Sequence, residues 1–417
     1  MRETGPPERA PQPVRRYHVM VKPTGSLCNL NCAYCYYLHK EKLLGSSNGY
    51  RISEQVLETH IRQYIEDQDG DEVVFSWQGG EPTLLGLDFF RQVVALENKY
   101  RKPQQRIEND LQTNGTLLDD AWCEFLRRHD FLVGLSIDGP RELHDAYRVT
   151  KGGEPTFERV VRAAQLLHKH SVRFNTLTVV HRFNAQRPLD VYRFLSREVR
   201  PFQLQFIPCV EPKVFQTVAP QKWEPSMLPE MGTPAARPGN PDSVVTDWSV
   251  DPDDWGDFLC KVWDEWYRRD YGKVFVNLFE TAVAQWMGLD AQLCVYHDFC
   301  GKGMALEHDG SVYSCDHYVY PQYRLGNILQ TPSSRLVFSD QQRKFGFAKN
   351  EDLPQYCRDC RFRFACNGEC PKNRLIRTPV GEPGLNYLCS GLKNFWEHIS
   401  PDMKQIIPRV TGITAKA

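Results

Sequence analysis

The chain predicts an α/β fold, a partial (β/α)6 barrel followed by a smaller cysteine-rich unit, and three observations carry that reading. Between residues 17 and 209 six short apolar runs alternate with amphipathic helical patterns. From Glu211 to Pro252 the composition changes, with eight prolines at 212, 220, 225, 229, 234, 238, 241 and 252. Eight cysteines then crowd the stretch from Cys294 to Cys389.

The runs 18–22, 72–77, 107–112, 132–137, 173–180 and 203–207 read as strands. Between them 53–66, 87–100, 119–129, 156–170 and 188–199 carry helical spacing, the first with Ser53 as its N-cap. Six βα units in succession give parallel strands, because each crossover helix returns the chain to the same end of the sheet. Curled into an incomplete TIM-like barrel, such a sheet presents its active site at the carboxyl ends of the strands. The proline-rich stretch reads as a long surface connection bordering a substrate groove. A helical stretch over 255–286 follows, whose Trp263, Trp266, Tyr267 and Tyr271 read as a buried face. The expected organisation is therefore a disordered start over 1–16, the barrel over 17–210, the connection and aromatic helix over 211–293, the cysteine-rich unit over 294–400 and a tail over 401–417.

Composition excludes several classes of function. The net charge is −1 with no long run of one sign, which argues against a broad nucleic-acid footprint. No apolar stretch approaches the ~20 residues of a membrane span, and Met1 to Pro13 is polar and proline-rich, unlike a signal peptide. The expectation is a cytoplasmic protein. In a reducing compartment its 14 cysteines point to metal ligation rather than disulfides.

Cys28, Cys32 and Cys35 stand at C-x3-C-x2-C spacing, with Tyr34 just before the last thiol. Three such ligands hold three irons of a [4Fe–4S] cube and leave the fourth open to a small molecule. A zinc knuckle lacking its fourth ligand is the plainer reading of the triplet alone. After the second strand comes Gly79-Gly80-Glu81-Pro82, where the glycines allow close backbone approach to a ligand; in isolation it is a turn. The fourth strand ends in Leu135-Ser136-Ile137-Asp138-Gly139-Pro140, with Arg148 shortly after. A strand-end hydroxyl suits a ribose, and a guanidinium suits a carboxylate.

Together the triplet and the glycine motif resemble the radical S-adenosylmethionine superfamily. The resemblance implies that the open iron chelates the amino and carboxylate groups of the cofactor's methionine part, and that one electron from the cluster cleaves it to a 5′-deoxyadenosyl radical. It also implies cofactor contacts from Tyr34, Gly80, Ser136, Arg148 and the backbone of Val210, with Gln112 and Asn114 of Leu111-Gln112-Thr113-Asn114-Gly115 as further candidates.

Downstream, Cys300, Gly310 and Cys315 form C-x9-G-x4-C, and Cys357, Cys360, Cys366 and Cys370 form C-x2-C-x5-C-x3-C before Cys389. With Cys294 these make eight thiolates, the number that fills two four-iron cubes. Locally Cys357-Arg-Asp-Cys360 also fits a zinc ribbon, and spacing alone divides eight ligands in several ways. The array resembles the SPASM extension of peptide-modifying radical enzymes. That family's pattern implies Cys294, Cys300, Cys315 and Cys370 on a nearer auxiliary cluster and Cys357, Cys360, Cys366 and Cys389 on a farther one. Cys123, Cys209 and Cys260 read as core thiols.

Asp316 follows Cys315 directly. A carboxylate there is suited to take a thiol or hydroxyl proton from a substrate; an isolated loop aspartate would instead bond backbone amides. The run from Cys300 to His317, with Arg324-Leu-Gly-Asn-Ile328 after it, is similar to the anaerobic sulfatase-maturating enzymes. That resemblance implies oxidation of a Cys or Ser side chain in a nascent or unfolded sulfatase to Cα-formylglycine. Three [4Fe–4S] clusters and S-adenosylmethionine serve as cofactors, and a low-potential flavodoxin or ferredoxin as electron donor. Asp316 is the proton acceptor, Tyr37 its hydrogen-bonding partner, and the electron-rich product radical passes its electron to the nearer auxiliary cluster. Two other readings stand beside it. One is a thioether-forming relative, although only about sixteen residues precede the first strand, few for an added peptide-binding domain. The other is a non-enzymatic iron–sulfur carrier, which has no need of an open iron.

Overall fold

The computed structural model describes residues 16–44 and 51–411. The expected disordered start and the end of the tail fall on residues 1–15 and 412–417, outside the described residues. Six strands run parallel in chain order: β1 (His18–Lys22), β2 (Glu72–Trp77), β3 (Arg106–Thr113), β4 (Phe131–Ser136), β5 (Phe174–Val180) and β6 (Gln203–Pro208). Along β4, Phe131, Val133 and Leu135 are buried while the residues between them are partly exposed, the period-two alternation of a sheet with two unlike faces. Phe131 meets the helices, its ring 6.2 Å from Phe90 and 5.7 Å from Phe125. The other face carries Gln112 and Ser136, so the polar residues of β3 and β4 share one side of the sheet.

The helices form where the spacing placed them. Ser53 caps Glu54–Asp67 by accepting from the Val56 amide at 3.2 Å, and the buried stripe Val56, Leu57, His60, Ile61, Tyr64 and Ile65 packs on the sheet. Two expectations change. The helix over 188–199 is α-helical only for Pro188–Arg193, then widens into a π turn, Phe194–Val199, that ends at left-handed Arg200. The stretch over 255–286 is two helices, Pro252–Glu265 and Asn277–Trp286, separated by a π turn, by Gly272 at φ 73° and by the short strand β7 (Phe275–Val276). Of the expected aromatic face Trp263 and Trp266 have no exposure, whereas Tyr267 and Tyr271 are only half-buried.

The cysteine-rich region joins the same sheet. β8 (Gly303–Glu307) pairs in parallel with β1, from His18 opposite Gly303 to Lys22 opposite Glu307, and β9 (Ser311–Tyr313) and β10 (Arg324–Asn327) follow antiparallel. The strand order is β10-β9-β8-β1-β2-β3-β4-β5-β6-β7, so stretches on either side of residue 294 share one sheet. The proline-rich connection is tied down rather than loose. Val250 donates to the Cys209 carbonyl at 2.8 Å, Thr246 to that of Glu211 at 2.9 Å, and Tyr323 Oη to that of Pro220 at 2.6 Å. The last helix, Cys389–Thr411, runs through the boundary expected at 400. It crosses Pro252–Glu265 at two glycines: a Cβ on Gly391 would lie 1.8 Å from the Pro252 carbonyl oxygen, and one on Gly256 2.6 Å from the Gly391 Cα. Only glycine permits that approach.

Candidate active site

The loops after β1 to β6 gather at one end of the sheet, and the chemistry-bearing residues lie on them. Cys28, Cys32 and Cys35 are half-buried on the first. Burial, with a smaller contribution from the neighbouring triplet thiols, pushes the thiols of Cys28 and Cys32 up to about 11 and about 12. The three therefore share one locality, and as free thiols they would stay protonated at neutral pH. Coordination to iron is the usual means of stabilising thiolates so placed.

Gly80 lies against this loop. Its amide donates to the Gly25 carbonyl at 2.8 Å, the Glu81 amide donates to that of Leu27 at 2.8 Å, and a Cβ on Gly80 would sit 1.9 Å from the Leu27 oxygen. Gly79 holds φ +123°, a conformation open to glycine. Glu81, which the sequence reading left without a role, is fully buried. It accepts from the Thr83 amide, from Thr113 Oγ1 at 2.7 Å and from the Asn114 amide at 2.8 Å, so it locks the loop after β2 to the loop after β3. Asn114 then reaches Asn29 Oδ1 at 2.8 Å and Cys28 Sγ at 3.8 Å. The available signal was a carboxylate inside an otherwise apolar turn.

Ser136 Oγ accepts from Gln112 Nε2 at 2.9 Å, and Gln112 fits because Gly134 has no Cβ. Tyr34 and Arg148 converge on Asp138. The Tyr34 hydroxyl donates to Asp138 Oδ2, Arg148 Nε donates to the same oxygen at 2.9 Å, and the guanidinium stands 5.4 Å from the Tyr34 ring centroid. Burial raises the Asp138 carboxyl, but the Arg148 charge and hydrogen bond, together with His181 and His144, hold the group below the usual range. Arg148 thus has a resident acidic partner, which the sequence reading did not assign. The Val210 carbonyl accepts from Lys372 Nζ at 2.7 Å.

Asp316 sits on a 3-10 turn after β9 and is 8 % exposed. Lys22, at the end of β1, pairs with its Oδ1, and the Tyr36 hydroxyl donates to Oδ2. The expected partner, Tyr37, is corrected: its hydroxyl donates to Glu307 on β8. The two tyrosine rings are neighbours in the chain but lie at 82° to each other, and each serves a different carboxylate. Burial is the largest influence on the Asp316 carboxyl and raises it, the Lys22 charge and the hydrogen bonds from Lys22 and Tyr36 together lower it, and the balance lies below the ordinary aspartate range. His317, pushed down by burial to about 3, is neutral beside it.

Burial also raises seven of the eight downstream thiols. Beyond burial, Cys294 is raised by Cys300, Cys315 by Cys370 and Cys294, and Cys370 by Glu369 and Cys300. Separately, Cys366 is raised by Cys357 and Cys360, and Cys389 by Cys366, Cys357 and Cys360. The electrostatic influences among these thiols thus run within one four, Cys294, Cys300, Cys315 and Cys370, and within another, Cys357, Cys360, Cys366 and Cys389. Cys123, Cys209 and Cys260 are buried. A cavity of about 520 Å³ is lined by Ser314 and Pro371, chain neighbours of Cys315 and Cys370, and by Trp223, Tyr318 and Phe345.

Residues 23–195 match the model of the radical SAM superfamily, and residues 298–361 match that of the SPASM iron–sulfur cluster-binding domain. The chain is 44% identical over 386 residues to the serine-type anaerobic sulfatase-maturating enzyme of Bacteroides thetaiotaomicron, covering 93% of this chain and 90% of the relative. The chain belongs to the anaerobic sulfatase-maturating enzymes. Against the cysteine-type member from Clostridium perfringens identity is 33%, over 92% of this chain and 96% of that one. The solved structure of native anSMEcpe with bound AdoMet and Cp18Cys peptide superposes with a TM-score of 0.79 at 31% identity, covering 94% of this chain and 99% of that one. Streptococcus suis SuiB, at 12% identity and a TM-score of 0.58, shares the fold alone. As a sulfatase-maturating enzyme the chain is a radical S-adenosylmethionine enzyme whose C-terminal part is an iron–sulfur domain.

Proposed function

We propose that this enzyme oxidises one side chain of a nascent or unfolded sulfatase, a Cys or Ser, to Cα-formylglycine without oxygen, with serine as the preferred residue. The observation that carries the proposal is Asp316: a buried carboxylate held by Lys22 and Tyr36, one residue from a cluster-type thiol and at the same end of the sheet as the Cys28 loop. Serine is preferred because identity to the serine-type relative is 44% and to the cysteine-type relative 33%.

Cys28, Cys32 and Cys35 would hold the radical-generating cluster, and Gly80, where a Cβ would meet the Leu27 carbonyl, lets the loop after β2 pack closely on the loop that carries them. Tyr34, Gly80, Ser136, Arg148 and the backbone of Val210 would contact the cofactor. The two fours of downstream thiols support one auxiliary cluster on Cys294, Cys300, Cys315 and Cys370 and another on Cys357, Cys360, Cys366 and Cys389. When bound, the first cluster and S-adenosylmethionine supply the 5′-deoxyadenosyl radical, which removes a Cβ hydrogen atom. Asp316, ionised at neutral pH because Lys22 faces it, would take the hydroxyl or thiol proton, and the remaining electron would pass to the auxiliary cluster held by Cys294, Cys300, Cys315 and Cys370. A flavodoxin- or ferredoxin-type donor supplies the electron, and the cytoplasm is where such a donor and a nascent sulfatase meet. Among the described residues no helix is long and apolar enough to cross a membrane.

The test is anaerobic reconstitution with reductant, S-adenosylmethionine and paired peptides bearing Ser-x-P/A-x-R or Cys-x-P/A-x-R. Aldehyde formed together with 5′-deoxyadenosine, faster from the serine peptide, is the expected result. Cofactor cleavage without aldehyde from either peptide overturns the assignment.

A further inference from the structure

The backbone just past β6 is pinned from two directions. From the proline-rich connection, the Thr246 amide donates to the Glu211 carbonyl at 2.9 Å, and Ser249 Oγ accepts from the Glu211 amide at 3.1 Å. From the cysteine-rich region comes Lys372, whose Nζ donates to the Val210 carbonyl at 2.7 Å and to Glu211 Oε1 at 2.8 Å. Val210 is 1 % exposed, and the side chains of Lys372 and Glu211 are 10 % and 11 % exposed, so water competes little for these bonds.

Lys372 is aimed by its own turn. It lies on Pro371–Asn373, a 3-10 turn directly after Cys370. The Asn373 amide donates to the Cys370 carbonyl at 3.0 Å, and its side chain donates to Glu369 Oε2 at 3.0 Å. Asn386 Nδ2 donates to the same Glu369 oxygen at 2.6 Å and to the Cys370 carbonyl at 3.2 Å. The ammonium thus stands on a braced turn and meets two fixed acceptors, a carboxylate and a main-chain carbonyl. Glu211 alone neutralises the buried charge. The bond to Val210 does something further: it sets where the backbone after β6 lies relative to the cysteine-rich region.

We propose that Lys372 is a positioning residue for the S-adenosylmethionine site: by holding the Val210 carbonyl it fixes the backbone after β6 where the cofactor meets it. This rests on the reading that the Val210 backbone contacts the cofactor. Backbone ordered in advance spares the cost of ordering it on binding, so loss of the tie is read as weaker affinity.

The test is anaerobic calorimetric titration of the reconstituted enzyme with S-adenosylmethionine, no peptide being present. Lys372→Met, which keeps the stem and removes the donors, should weaken affinity about 10-fold, the order of one charge-assisted hydrogen bond. The KM for peptide-free cofactor cleavage should rise by the same factor while kcat stays near native. Lys372→Arg, which keeps donors and charge, should recover most of the affinity. Unchanged affinity in Lys372→Met, with or without a lowered melting temperature, overturns the proposal and assigns Lys372 to packing. Hydrogen exchange on the native enzyme decides the matter without relying on how any variant folds or loads iron. S-adenosylmethionine should slow exchange of the amides at 209–211 and, through the tie, of those at 372–374. Protection at 209–211 alone overturns the inference; protection at neither overturns the reading of Val210, and the inference with it. Because no peptide is used, both measurements are decided independently of whether the native enzyme forms aldehyde.

Discussion

Replacing Lys22 by Met should convert Asp316 from a carboxylate that is ionised throughout the neutral range into one that titrates within reach of it. Lys22 is 1 % exposed, and its Nζ contacts Asp316 Oδ1, Gln78 Oε1 at 3.2 Å and the Tyr37 ring at 4.7 Å, so Met fills the same channel without the charge. Burial is the largest influence on Asp316 and raises it; Lys22 is the next and lowers it. Removing an opposite charge at contact distance moves a carboxyl by about 1–3 pH units, equivalent to about 1.4–4 kcal/mol. The Tyr36 hydroxyl still donates and retains part of the depression. The sign follows from the role of the group: the base acts as a carboxylate, so the acid limb of aldehyde formation moves upward and yield lost at neutral pH returns in mild alkali. Stability moves with it. The native pair contributes stability present above the unfolded aspartate value of about 3.9, lost as pH falls through the lower folded value. The variant instead buries an unpaired carboxylate at neutral pH, costing about 3–5 kcal/mol and lowering the melting temperature. The assay is the ratio of formylglycine to 5′-deoxyadenosine as a function of pH under anaerobic conditions. A pH profile superimposable on the native one would refute the ion pair as the control on Asp316.

Asp316→Asn should lower aldehyde formation about 10²- to 10⁴-fold while 5′-deoxyadenosine is still produced, and full product yield would reject Asp316 as the base. Tyr36→Phe should remove a hydrogen bond to that carboxylate and slow aldehyde formation about 10-fold or more, whereas Tyr37→Phe, whose partner is Glu307, should have the smaller effect; kcat measured on both variants checks the order. Gly80→Ala forces a methyl group into the Leu27 carbonyl, so iron content and S-adenosylmethionine cleavage should fall together, and retention of both would show that the loop yields freely. Iron analysis of the reconstituted chain should approach about 12 atoms from three four-iron clusters, with a value near 4 removing the auxiliary sites.

Much of the fold was legible because the barrel strands alternate and the helices carry wide apolar stripes. β1 and β2 match their expected ranges to the residue, and β3 to β6 fall within one residue or so. What escaped was non-local. Nothing in the spacing of 303–307 says that it pairs with β1, since a parallel partner is chosen by three-dimensional docking and not by its own pattern. The break at Gly272 was masked by aromatic residues on both sides, which suit one long helix as well as two. At the site, the thiols and Asp316 stood out by residue type and spacing. The partners that set their chemistry, Lys22, Asp138, Glu81 and Tyr36 against Tyr37, were not visible, because each contact joins residues from different loops and adjacent tyrosines give no sign of which way they turn.

The pairing of β8 with β1 also sets an order in time. β1 is made well before β8, the strand that covers its edge, so its outer N–H and C=O groups wait for the longest-range contact in the sheet. Until that contact forms, an incomplete chain presents a strand edge open to pairing with other chains, and the step that closes it belongs to the slow class of long-range parallel pairings. The same step brings Asp316 to Lys22. A truncated chain that retains the Cys28 loop but ends before β8 therefore has the radical-forming ligands without the base that directs the radical's use, which ties productive oxidation to a fully synthesised and folded enzyme.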